Sequence, residues 1–175
     1  MLKKVLKYIG LAVGLLTGLP LLVAPLVYTL KIANASTSET VGLFEDLEDM
    51  EALVKDFNPF WIVALRVLVI MALAVAVITL VVAILDDLKV LKLQNVEKVL
   101  AVSLLVIGIL AVITLLVNQF TNSNFETTEL FGNKVTNGSS IVANVMGWLF
   151  PIFALASAGL VFATVDSKKK SKKRK

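Results

Sequence analysis

PFWIVALRVLVIMALAVAVITLVVAIL, residues 59–85, holds one charge, Arg66, no glycine, and no proline beyond its first residue. Wound as a helix at 1.5 Å per residue it measures about 40 Å, more than the ~30 Å hydrocarbon core of a bilayer. Tyr8 to Leu30, Val99 to Val117 and Ile141 to Val165 read the same way. The four runs predict an all-α integral membrane protein, a four-helix transmembrane bundle in a single membrane domain. Its spans are at about 8–30, 59–85, 99–117 and 141–165, followed by a basic tail at 166–175. Helices are the economical form because backbone groups in lipid must be satisfied within the segment, and the alternation of barrel strands is absent. With 58% hydrophobic residues, a water-soluble domain would expose far too much apolar surface.

The charges give an orientation. Lys3, Lys4, Lys7, Lys89, Lys92, Lys98 and the tail from Lys168 to Lys175 place thirteen of the 17 basic residues on one side with four acids, a net +9. The other side holds Lys31, Lys55, Lys134 and Arg66 against nine acids, a net −5. The positive-inside rule then puts both termini and the middle loop in the cytoplasm, in a protein of the plasma membrane. The basic start, the first apolar run and Ala33-Asn34-Ala35 together resemble a secretory leader with its cleavage site. The run exceeds the usual 7–15 residues, however, and Lys31 intervenes, so it is read as a span.

Gly10, Gly14 and Gly18 recur every fourth residue and form a groove along one helix face, where a second backbone can approach. Ala143 and Gly147 open a similar small-residue face in the fourth span. The groove of the first helix is expected to remain available to a partner. Pro20 and Pro25 predict a kink in the outer half of that helix.

In the first outer loop, Leu43, Leu47, Met50, Val54 and Phe57 alternate with acids at helical spacing, predicting a short amphipathic helix. The acids lack the spacing and central glycine of a calcium loop. The second outer loop, 119–140, predicts a hairpin around Gly132-Asn133. Asn34-Ala35-Ser36 and Asn137-Gly138-Ser139 are glycosylation sequons in these loops.

With no cysteine or histidine in the chain and no acid within the four runs, enzymatic activity and heme, zinc or di-metal cofactors are not expected. Arg66 is the one charge inside a run, roughly 10 Å below the outer interface. Thr114, Asn118 and Asn144 fall at similar depth, so the four can be drawn as one polar pocket. The simpler alternative has Arg66 snorkelling to Asp56 or a lipid phosphate.

Four spans with cytoplasmic termini make a layout that resembles claudin-like and tetraspanin-like proteins. The resemblance is one of topology: the first outer loop is short, there is no cysteine, and Trp61 and Trp148 stand near span ends. No family follows from it. The expected function is a non-enzymatic assembly or accessory subunit of a membrane complex, and the alternative is a small oligomeric channel or transporter using Arg66. Expected partners are the bilayer, anionic headgroups at the basic termini, and another membrane protein or a second copy; nucleic acid is not among them.

Overall fold

The computed structural model describes residues 2–54, 56–90 and 94–172. Lys55, Lys92 and the end of the basic tail, Lys173, Arg174 and Lys175, lie outside them. The elements in chain order are α1 (Leu2–Leu15) continued by a 3-10 turn (Leu16–Leu21), β1 (Leu26–Ile32), β2 (Ala35–Val41), α2 (Leu47–Leu53), α3 (Pro59–Asp87), α4 (Gln94–Thr121), β3 (Ser123–Leu130), β4 (Asn133–Ala143) and α5 (Val145–Lys172). Four helical segments, Leu2–Leu21, Pro59–Asp87, Asn95–Thr121 and Val145–Thr164, are long and apolar enough to cross a membrane.

The protein is not all-α. A four-stranded antiparallel sheet, ordered β2-β1-β4-β3, is built from the segments that follow the first and third apolar helices. It takes Leu26–Leu30 from the first predicted span and Ile141–Ala143 from the fourth. An apolar run by itself does not separate a buried strand from a helix. Pro25 decides the first case, because it disfavours helical geometry at Ala24, and the Val27, Tyr28, Thr29 and Ile32 that follow suit a pleated surface. The first helix starts earlier than predicted: lysine is a good helix former, so α1 takes in Lys3, Lys4 and Lys7.

The chain divides into two compact units. One comprises residues 1–18, 68–111 and 149–175, and is helical. Its packing is carried by small side chains such as Ala72, Ala76, Ala83, Ala101, Ala154 and Ala158, all buried.

The other unit comprises residues 19–67 and 112–148, with the sheet and α2. The helix is shorter than the predicted stripe: Leu47 and Met50 lie on α2, while Leu43, Val54 and Phe57 flank it and are buried beside Met50, and Asp46 caps its start by accepting from the Glu48 amide at 3.1 Å. β1 and β4 pair antiparallel from Leu26↔Ala143 to Lys31↔Gly138, joining the two hairpins. Both hairpins close with two-residue loops at positive φ: Ala33 (50°) and Asn34 (70°), then Phe131 (53°) and Gly132 (80°). The second turn therefore sits one residue before the predicted Gly132-Asn133. The first turn occupies the triplet that had suggested a cleavage site.

Candidate functional site

Pro59 opens α3 at the position where its missing N–H costs nothing, and Asn58 caps the helix by accepting from the Phe60 amide at 3.1 Å. Arg66 follows two turns later. Its Nε donates to the Leu43 carbonyl at 2.6 Å and its Nη2 to the Glu45 carbonyl at 2.5 Å. The guanidinium lies 5.6 Å from the Phe44 ring centroid. The loop it grips is folded on itself, since the Glu45 carboxylate accepts from the Gly42 amide at 2.6 Å. Arg66 thus fastens the chain ahead of α2, with charged hydrogen bonds that are typically worth more than neutral ones.

Among the described residues no hydrogen bond joins Arg66 to Thr114, Asn118 or Asn144. Thr114 is buried on α4 one turn before Asn118. Asn118 donates to the Ile141 carbonyl at 3.1 Å and accepts from Asn122 at 2.8 Å. Asn122 in turn exchanges hydrogen bonds with the Asn58 backbone, at 2.7 and 3.1 Å. These asparagines tie the end of α4 to the start of α3 and to β4. Asn144 caps α5, accepting from the Gly147 amide at 3.1 Å, and donates to the Ala24 carbonyl at 2.8 Å. Burial demands partners for every such amide, and each of these side chains has them in backbone groups.

The glycine row is filled by the protein itself. A Cβ on Gly10 would stand 2.8 Å from Leu160 Cβ, one on Gly14 2.7 Å from Ser157 Oγ, and one on Gly18 3.1 Å from Leu73 Cδ1. α1 therefore packs within the helical unit through this face, and the groove is not left over for a partner. Gly147 is closed in the same way, with a Cβ falling 2.6 Å from the Pro25 carbonyl oxygen. Ala143 does not belong to a helix face: it is the last residue of β4 and pairs with Leu26.

One cluster was invisible to the span boundaries drawn from sequence, which left Lys7 ahead of the first run and Glu97 in a loop. Both are inside helices. Lys7, 4% exposed, meets the fully buried Glu97 with Nζ 2.6 Å from Oε1. Asp87, at the end of α3, lies 3.9 Å from the same ammonium and accepts from the Tyr8 hydroxyl at 3.0 Å, with Lys4 3.6 Å away. The ends of α1, α3 and α4 in this unit are bound by opposite charges. Among the described residues no three His, Cys, Asp or Glu side chains gather as a metal site would need.

No protein-family model, curated protein or solved structure matches this chain. Function must be read from its own surface. The most unusual feature of that surface is the tip of the second hairpin. Phe131 is fully exposed, flanked by the half-exposed Leu130, and holds φ at 53°. A two-residue turn with both φ values positive favours Asn-Gly, and a bulky side chain there is rare. The residue is thus unfavourable for its backbone and leaves its apolar ring exposed.

Proposed function

We propose that the protein is a non-enzymatic assembly subunit of the plasma membrane, whose helices anchor a sheet that docks a protein partner. Phe131 carries this reading. Strain and exposed apolar surface persist where function uses them, and asparagine at the same turn position would remove both. The edges of the sheet, β2 and β3, extend the surface with backbone groups able to add a strand from a partner. An anion path past Arg66 has no observation in its favour, since its guanidinium is engaged by two carbonyls.

Phe131→Asn should stabilise the purified protein by about 1 kcal/mol through relief of the backbone strain. In cells, cross-linking followed by sizing should give a discrete larger complex for the wild type and none for the variant. A complex of undiminished yield in Phe131→Asn would overturn the assignment.

In this reading the sheet faces outward and both termini face the cytoplasm, an orientation supported by the thirteen basic residues gathered on the opposite side. A cysteine at Ser123, the first residue of β3, should react with a membrane-impermeant reagent in intact cells, and one at Ser171 should not. Labelling at Ser171 alone would invert the orientation.

A further inference from the structure

β3 forms one edge of the sheet and is exposed from Phe125 to Leu130. The Asn122 carbonyl accepts from the Ile141 amide at 2.9 Å, which sets the alternation of the ladder. Asn124, Glu126, Thr128 and Leu130 therefore turn their backbone groups toward β4, while Phe125, Thr127 and Glu129 turn theirs to the open side. Natural sheets guard such an edge with lysine, proline or a bulge. β3 has neither residue, and it pairs with β4 residue for residue from Ser123↔Ser140 to Leu130↔Asn133. Its regularity makes it a template for one more strand.

The charges choose the occupant. Glu126 stands opposite the neutral Asn137, and Glu129 stands opposite Lys134. Among the described residues neither acid has an ion pair within 4 Å. Three residues apart, the two acids point to opposite faces of the sheet. An incoming strand with bases at the same spacing would give Glu126 a partner and extend Lys134 and Glu129 into a row of alternating sign, whereas an acidic strand would set like charges face to face. A second copy is such an acidic strand: its β2 brings Glu39 and no base, and its β3 repeats the two acids. The edge runs on into the exposed Leu130 and Phe131, so edge and tip form one surface.

We propose that β3 binds an extended basic segment of a partner protein, which adds antiparallel as a fifth strand with Lys or Arg side chains three residues apart against Glu126 and Glu129. The proposal rests on the docking function above and supplies the chemistry of its partner. The probe is the acetylated and amidated peptide Thr-Val-Lys-Val-Thr-Lys-Val-Thr, whose lysines meet Glu129 and Glu126 when its valines lie against Leu130, Thr128 and Phe125. Binding to the full chain in uncharged detergent is followed by fluorescence anisotropy, beside the same peptide with glutamate in place of lysine. The wild type should bind the lysine peptide about tenfold more tightly than the glutamate peptide, from two cross-strand pairs that change from attractive to repulsive. Glu126→Lys combined with Glu129→Lys should reverse the preference.

Thr127→Pro removes an outward amide and no bond to β4, so it should abolish binding, whereas Ser38→Pro on the opposite edge, β2, should leave it unchanged. If Thr127→Pro speeds amide exchange in β4, and so has disturbed the sheet, the charge-reversed double variant decides in its place. Equal binding of the two peptides by the wild type, or no reversal in the double variant, would overturn the proposal. Self-association of the wild type that Thr127→Pro removes would make the occupant a second copy and overturn it as well. The peptide carries no aromatic or bulky group for the Phe131 ring, so Phe131→Asn should not change its affinity. A peptide that fails to bind, with the cellular complex still lost in Phe131→Asn, would overturn the edge and keep the docking function; a bound peptide with an undiminished complex would do the reverse.

Discussion

Lys7→Met should destabilise the protein by about 3–5 kcal/mol, the usual cost of leaving one member of a buried ion pair without its partner. Glu97 is fully buried, and its Oε1 has the Lys7 ammonium at 2.6 Å while Oε2 has no hydrogen-bond partner among the described residues. Removing Lys7 therefore strands a carboxylate that is already half satisfied. Glu97→Gln should cost less, because Lys7 keeps Asp87 at 3.9 Å. Lys7→Met combined with Glu97→Met should recover most of the loss, since a well-packed apolar pair often matches a buried ionic one. Thermal unfolding in detergent of the two single Met variants and the double measures the coupling. Losses that simply add would show that the 2.6 Å contact does not tie α1 to α4.

That pair also marks where sequence reading stops. Lys7 and Glu97 are 90 residues apart, each sits next to an apolar run, and each looks like an ordinary interfacial charge until the helices are in place. The second and third runs were legible because nothing within them interrupts a helix: α3 and α4 cover the whole of their predicted spans. The amphipathic stripe was legible in part, with Leu47 and Met50 on α2, and the second hairpin to within one residue.

The first hairpin was hidden because Leu26-Val27-Tyr28-Thr29-Leu30 continues an apolar run, and hydropathy weighs side chains without weighing φ and ψ. What the sequence did offer was Pro25 followed by β-branched and aromatic residues, a strand signal that the longer run outweighed. Arg66 was legible as unusual but not as to its partners, since the carbonyls of Leu43 and Glu45 belong to any sequence equally. Phe131 could not be singled out at all: its exposure and its φ of 53° exist only once the turn is formed.

Gly138→Ala should separate β3 from β4, at a cost of roughly 3 kcal/mol or more, combining strain at positive φ with overpacking. Gly138 has φ 148°, and a Cβ there would collide with the Asn124 carbonyl oxygen and stand 2.7 Å from Phe125 Cα, both backbone atoms that cannot swing aside. The position also works through what it leaves empty. Gly138 pairs with Lys31 on one side and Phe125 on the other, and across it the Lys31 ammonium reaches to 4.9 Å from the Phe125 ring centroid.

Gly132→Ala in the same hairpin provides the comparison: its φ is 80° but nothing among the described residues lies within 4 Å of a Cβ, so only the conformational cost of about 1 kcal/mol applies. Amide hydrogen exchange along Ser123–Leu130 should rise strongly in Gly138→Ala and slightly in Gly132→Ala, while the amides of α3 keep their protection in both. Equal effects of the two substitutions would mean that positive φ alone makes these glycines necessary. A larger effect at Gly138 would mean that the sheet depends on the close approach of β3 to β4, and with it the placement of Phe131 at the hairpin tip.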